Sequence, residues 1–131
     1  HFVAVQDANG DGFDDLVTAN GPGTALRVIL GNGNGTFQGA INVTVPSGPM
    51  ALAAGDFNGD GRPDLVSANN GAGSVSVLLG NGQGGFNNVT NIATGTAPFA
   101  VDVGDFNGNG HLDIAVVNQT GHSLSVILGA G

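Results

Sequence analysis

Residues 55–66 decide the fold, and they read Gly55-Asp56-Phe57-Asn58-Gly59-Asp60-Gly61-Arg62-Pro63-Asp64-Leu65-Val66. Counted from Asp56, side-chain oxygens stand at positions 1, 3, 5 and 9, and a glycine stands at position 6, where the chain must turn sharply. Alternate side chains of such a curved loop point towards one centre. Ca²⁺ takes about six to eight oxygen ligands, among which the carbonyl of position 7 can serve. The stretch therefore predicts a calcium-binding loop that leads into a β-strand.

The same loop occurs three times at a constant spacing. Asp56 follows Asp7 by 49 residues, and Asp105 follows Asp56 by another 49. The same spacing relates three Leu-Gly pairs, which begin at Leu30, Leu79 and Leu128. Because chance does not plausibly supply such a register, the chain is built from a repeated unit.

Each unit contains four candidate strands separated by turns. In the middle unit the predicted strands are residues 51–55, 64–69, 74–79 and 86–94. Val75 and Val77 share one face of the third strand by the period-2 rule. Glycine, proline and β-branched residues are too frequent for a helix. Four antiparallel strands in a unit of this length are typical of a β-propeller blade, so we expect an all-β fold.

The repeated unit divides the chain into residues 1–49, 50–98 and 99–131, and the third unit is cut short before its fourth strand. We therefore expect about 2.7 blades, which cannot close a ring, because propellers have about four to eight blades. The last strand should then present an unpaired edge, and such edges recruit other chains. This favours self-association of copies as a ring or a filament. A fragment of a longer propeller is the alternative.

The charge balance excludes several classes of partner. Ten aspartates face only two basic residues other than histidine, Arg27 and Arg62, and the formal net charge is −8. Such a surface is a poor partner for nucleic acid or anionic membranes, and no apolar run is long enough for membrane insertion. The chain has no cysteine, so neither a disulfide framework nor a thiolate zinc site is available. Three bound Ca²⁺ ions would bring the formal charge from −8 to −2.

The segment from Gly55 to Val66, followed by Val77-Leu78-Leu79-Gly80-Asn81-Gly82, resembles the FG-GAP/VCBS repeat family. This is the repeat of integrin α-chain propellers and of many bacterial secreted proteins, and the resemblance covers the whole chain. It implies a calcium loop between the first and second strand of each blade. It also implies an extracellular role in adhesion, lectin-like binding or scaffolding.

Carried over by position, the resemblance implies about three Ca²⁺ ions per chain. The implied ligands are Asp7, Asn9, Asp11, the Phe13 carbonyl and Asp15; Asp56, Asn58, Asp60, the Arg62 carbonyl and Asp64; and Asp105, Asn107, Asn109, the His111 carbonyl and Asp113. The third loop departs from the family pattern, because Asn109 stands where an aspartate is expected. With one anionic ligand fewer, this loop should bind calcium most weakly.

Two other interpretations of the loops compete with calcium binding. Asp, Asn and Gly also make good turns without any metal, although three loops in register argue for more than turns. An EF-hand requires Glu at position 12, where this chain has Thr18, Ser67 and Val116.

Little in the sequence points to catalysis. His1, His111 and His122 are the only candidate general bases, and none lies in a recognisable Ser/His/Asp setting, so we expect no enzyme. Asp102 is the one carboxylate inside a predicted strand, and a position facing the propeller axis would make it a candidate pocket residue. Four glycan-acceptor sequons begin at Asn34, Asn42, Asn88 and Asn118, of which the first two are the best placed.

These observations predict a secreted or cell-surface structural protein. Calcium would rigidify the loops, and open strand edges would pair between copies. The chain begins at His1 without a methionine, which is typical of a mature processed chain or an excised fragment. The alternative is an adhesion or lectin-like module of a longer secreted propeller, with a protein or glycan ligand. The absence of Trp and Tyr gives a carbohydrate platform little support.

Overall fold

The computed structural model describes residues 2–130, and within them the chain forms eleven β-strands and no helix. The strands are β1 (Phe2–Gln6), β2 (Asp15–Ala19), β3 (Ala25–Ile29), β4 (Ile41–Thr44), β5 (Pro49–Gly55), β6 (Asp64–Asn69), β7 (Ser74–Gly80), β8 (Phe86–Ala93), β9 (Pro98–Gly104), β10 (Asp113–Asn118) and β11 (Ser123–Ile127). The described part of the chain accordingly has no helix that could cross a membrane. His1, one of the candidate bases, lies outside the described residues.

The strands form three antiparallel sheets in chain order, which we call blade 1 (β1–β4), blade 2 (β5–β8) and blade 3 (β9–β11). Strands that are consecutive in the chain pair with each other, so each sheet is a simple meander. The all-β expectation and the incomplete set of propeller blades are confirmed. Of the strands predicted for the middle unit, β6 has the predicted bounds, whereas β5 begins two residues earlier, at Pro49.

The core consists of two layers, one on each side of blade 2. Successive side chains of a strand point to opposite faces, so Leu65 and Val66 enter different layers. Leu65 packs with Val17 and Leu26 of blade 1. Val66 packs with Ile114 of blade 3. All of these side chains are at most 4% exposed, and each contributes about 1.5–3 kcal/mol by its burial.

The first strands of the blades bring the three sheets together. β1 contacts β5, and β5 contacts β9. Blade 2 is therefore covered on both faces. Blade 1 and blade 3 are each covered on one face only, and the other face is exposed.

Candidate functional site

The three acidic loops join the first two strands of each blade. They lie between β1 and β2, between β5 and β6, and between β9 and β10. The first loop also contacts the next blade, because the N–H of Gly84 donates to the carbonyl oxygen of Ala8 at 3.2 Å. Each loop is thus anchored by strands on both sides.

Backbone hydrogen bonds to the side chains curl the loop of blade 2. Asp56 Oδ1 accepts from the N–H of Gly59 (2.7 Å) and of Asp60 (3.1 Å), and Asp56 Oδ2 accepts from Gly61 (2.8 Å). Asn58 Oδ1 accepts from Asp60 (3.0 Å), and Asp60 Oδ1 accepts from the N–H of Arg62 (2.9 Å). These bonds fold the loop back on Asp56 and bring the Oδ1 atoms of Asp56 and Asn58 together at the N–H of Asp60.

The other two loops repeat this framework bond for bond. In the first loop Asp7 accepts from positions 4, 5 and 6 at 2.7, 3.1 and 2.8 Å. In the third loop Asp105 accepts from the same positions at 2.7, 3.1 and 2.9 Å. The glycines at positions 4 and 6 have positive φ in every loop, for example +73° at Gly59 and +80° at Gly61. Only glycine adopts this conformation at little cost, which explains why both positions are glycine throughout.

The backbone N–H groups that bind the aspartate of position 1 also lower its pKa in the first and third loops. The N–H of Gly12 above all holds the pKa of Asp7 below its usual value of 3.8. The N–H of Gly110 does the same for the pKa of Asp105. The backbone therefore favours the ionised form of these two carboxylates, which is the form that binds a metal.

The aspartates of position 9 have a different environment. Asp64 is fully buried, and its Oδ2 accepts from the N–H of Phe57 (2.9 Å) while its Oδ1 accepts from the N–H of Gly80 (2.8 Å). Asp15 and Asp113 make the equivalent pair of bonds. Each of these carboxylates ties the acidic loop to the end of the third strand of its blade, an arrangement that we call the aspartate staple.

Sequence reasoning assigned position 9 to the metal and missed the staple. The sequence feature that could have revealed the staple is the Leu-Gly pair, which recurs at the same 49-residue spacing. A Cβ on Gly80 would collide with the carbonyl oxygen of Pro63, and a Cβ on Gly31 would collide with that of Asp14. Glycine is therefore required where the staple brings the two segments together.

The predicted ligands accordingly fall into two groups. Positions 1, 3 and 5 lie towards solvent, while position 9 is buried with both oxygens engaged by N–H donors. Position 7 donates its N–H to position 5, as Phe13 does to Asp11 at 2.8 Å. Between residues 2 and 130, no group of three or more carboxylate, imidazole or thiolate side chains is gathered closely enough to hold a metal ion.

The donor set nevertheless has the chemistry of a hard-cation site. Each loop offers carboxylate, amide and carbonyl oxygens, which suit Ca²⁺ and not Zn²⁺. A carboxylate has about four lone-pair sites, so acceptance of backbone N–H bonds leaves capacity for a cation. The residues of the loops therefore fit calcium.

The third loop differs from the other two at position 5. In the first two loops, the amide of position 3 donates to the aspartate of position 5, at 2.9 Å from Asn9 to Asp11 and 3.1 Å from Asn58 to Asp60. In the third loop, Asn109 Nδ2 instead donates to the carbonyl oxygen of Gly129 at 2.9 Å. A neutral tether to the end of blade 3 has thus replaced a charge.

Among residues 2–130, the other candidate residues do not gather into one site. His111 and His122 are exposed. Asp102 lies on β9 and borders a cavity of about 580 Å³ whose other lining residues, such as Phe2, Leu52 and Leu124, are all apolar. No second polar side chain accompanies Asp102 in this lining, so the cavity lacks a pair of groups for acid–base chemistry.

The four sequons differ in accessibility. Asn34, Asn42 and Asn88 are exposed. Asn118 is only 1% exposed, and its Nδ2 donates to Ser123 Oγ (3.3 Å) and Ser125 Oγ (2.8 Å). The folded chain therefore presents three of the four sequons to solvent.

Three successive β-meanders, stacked face to face and each carrying an acidic loop after its first strand, define a propeller-type repeat protein. A family model for the FG-GAP-like repeat matches residues 7–67 and 56–116. These matches span most of the chain, which therefore belongs to the FG-GAP-like repeat family. This is a family of structural and binding repeats that typically occurs in extracellular or surface proteins. Comparison with curated proteins gave no significant match.

Proposed function

We propose that this chain is an extracellular structural repeat module that binds calcium in its three acidic loops and associates with further copies of itself. One observation carries the proposal. The same backbone hydrogen-bond framework occurs in all three loops and holds oxygen donors at positions 1, 3 and 5 towards solvent. At position 5 the neutral Asn109 makes the same turn hydrogen bond in the third loop that Asp11 and Asp60 make in the other two, so the turn alone does not require an acidic side chain there.

The charges of the loops support this proposal. Asp7 and Asp11 lie in one short loop, so their two negative charges repel each other, and solvent screening reduces this repulsion. When bound, calcium would neutralise such pairs. Because each loop joins the first two strands of a blade, neutralising it would stabilise that pairing, and the proposed role is structural and not catalytic.

The outermost strand of blade 3 supports self-association. Within the described residues, β11 pairs with β10 alone, whereas the third strands of blades 1 and 2 each pair on both sides. Unpaired strand edges and uncovered apolar faces both favour contact with another chain. We therefore propose a second copy of this chain as the partner.

Calcium titration by calorimetry, with thermal unfolding in parallel, tests the proposal. We expect three sites, the weakest in the third loop, and an increase in the melting temperature with calcium, since a ligand that binds only the folded state stabilises it. Asp7→Asn should remove the site of the first loop, and Asn109→Asp should strengthen that of the third. Asp14→Asn makes the same charge change beside the first loop, at a position outside the ligand set, and should keep all three sites. Absence of both heat and thermal shift at millimolar calcium would refute the proposal.

A further inference from the structure

The exposed faces of blades 1 and 3 are both apolar. On blade 1, Val3 and Val5 are 52% and 58% exposed. On blade 3, Leu124 and Val126 are 63% and 50% exposed. Contiguous apolar surface of this kind is uncommon on a soluble monomer and marks interaction sites.

The exposed face of blade 1 has nearly the sequence of a face that is covered in blade 3. Blade 3 packs on blade 2 through Val101, Val103, Ile114 and Ile127. Two repeat units earlier, the same positions are occupied by Val3, Val5, Leu16 and Ile29. Val5, Leu16 and Ile29 are cross-strand neighbours and share one face. Blade 1 therefore carries the surface with which a blade packs on the blade before it.

The exposed face of blade 3 corresponds to the face of blade 2 that packs on blade 3. Blade 2 packs on blade 3 through Ala51, Ala53, Val66, Ala68, Val75 and Val77. One repeat unit later, these positions are occupied by Ala100, Asp102, Ala115, Val117, Leu124 and Val126, so five of the six are apolar. Ala115 pairs with Val126 across the strands, and Leu124 belongs to the same strand two residues away. Blade 3 thus carries the surface with which a blade receives the next one.

Charge distinguishes the mating of unlike faces from the mating of like faces. Arg27 is a cross-strand neighbour of Thr18, which pairs with Val3, so its side chain is on the exposed face of blade 1. Asp102 is a cross-strand neighbour of Ala115 and lies on the exposed face of blade 3. Contact between like faces would bring two arginines or two aspartates into one interface, which is costly. Contact between unlike faces brings opposite charges into it.

We propose that the exposed face of blade 3 binds the exposed face of blade 1 of a second copy, head to tail. Two copies of the described residues supply four complete blades and two three-stranded blades, six in all, within the range of about four to eight blades found in propellers. The contact can therefore close into a two-copy ring in which both pairs of faces are covered. This inference rests on the self-association in the proposed function and identifies the faces that would carry it.

Light scattering after size exclusion gives the first test. The chain has a mass of 12.8 kDa, and we expect a particle of twice that mass. Val5→Asp disables the face of blade 1 and Leu124→Asp that of blade 3, so each variant alone should be monomeric. Val89→Asp makes the same change on the outer strand of blade 2, outside both faces, and should remain dimeric.

Mixing the two disabled variants separates head-to-tail contact from other modes. The Val5→Asp copy keeps an intact blade 3 face, and the Leu124→Asp copy keeps an intact blade 1 face. An equimolar mixture should therefore form a dimer with one copy of each, held by a single interface. Arg27→Asp or Asp102→Arg alone places only like charges in the proposed contact and should weaken the dimer, and the double variant with both changes should recover it. These charge variants serve as a second route if an apolar substitution impairs folding.

Three results would overturn the inference: a monomeric wild type at about 100 μM, dimers of Val5→Asp alone, or no dimer in the mixture. Dimers of Val5→Asp would point to pairing through the edge of β11 instead. The same samples are titrated with calcium to separate the two proposals. A dimer that does not bind calcium would refute calcium binding by the loops but not the contact between the faces. A monomer that binds calcium would refute the contact between the faces but not calcium binding by the loops.

Discussion

Replacement of Asp15 by Asn tests whether the aspartate staple holds the blade together independently of any metal. Asp15 is 0% exposed, and its carboxylate accepts from the N–H of Ala8 and of Gly31, both at 2.8 Å. Asparagine has nearly the same shape but only one acceptor oxygen. One of the two buried N–H groups must then face the amide NH₂ of the new side chain, which is itself a donor.

The magnitude follows from the two donors that lose their partners. An unsatisfied buried donor costs about 1–3 kcal/mol. One backbone N–H and one amide N–H are affected, and removal of a buried charge offsets part of the loss, so we expect the free energy of unfolding to fall by about 2–4 kcal/mol. A single domain has about 5–15 kcal/mol in total, so the change should be large.

Urea unfolding in the presence of a chelator measures this difference without a contribution from calcium. Asp14→Asn provides the matched control, because Asp14 is the residue next to Asp15 and its side chain is exposed. The variant removes the same charge and should change the free energy of unfolding by less than about 0.5 kcal/mol. If Asp15→Asn unfolds at the same urea concentration as the control, the staple does not stabilise the fold and the reasoning is wrong.

Three further predictions concern stability. The amide atoms of Gln6 are buried without a hydrogen-bond partner in the described part of the chain. Gln6→Leu should therefore raise the free energy of unfolding by about 1–2 kcal/mol. In the same urea titration, Gln38→Leu, at an exposed position, should leave it unchanged. Gly80→Ala places a Cβ against a backbone carbonyl and should lower the melting temperature, while Gly39→Ala, where a Cβ meets no atom within 4 Å, should not. The pKa of Asp7 is lowered on folding from 3.8, so in chelator its contribution to stability is present above about pH 3.8 and is lost as the pH falls through the folded-state pKa. Asp7→Asn should flatten the acid limb of a plot of urea midpoint against pH, and an unchanged limb would contradict this.

The architecture could be predicted from the sequence because one signal is repeated three times. Spacing located the loops, and alternation of apolar residues located the strands between them. The incomplete third blade followed from the same count, since no fourth strand follows β11 within the described residues. Local chemistry and repetition were sufficient for these features.

The environment of particular side chains could not be predicted, because it depends on contacts between units. Asp64 reads as a metal ligand by its spacing, yet its burial arises from the approach of Gly80. Asn118 is another example. In blade 2, Ser67 Oγ donates to the Oδ1 of Asn69 (2.9 Å), but Val116 replaces that serine in blade 3 and leaves Asn118 Oδ1 without a donor among the described residues. Such exchanges between equivalent positions are visible only when the partners are placed.

Blade 2 lies between the two core layers, so blades 1 and 3 each pack on blade 2. Stability in such a row is approximately a sum of terms for each unit and for each neighbouring pair. In a single copy outside the proposed two-copy ring, blade 3 has the fewest strands and packs on blade 2 alone, so loss of structure should begin there and advance inwards. Amide hydrogen exchange would record this as a gradient of protection along the chain, rather than as one cooperative opening.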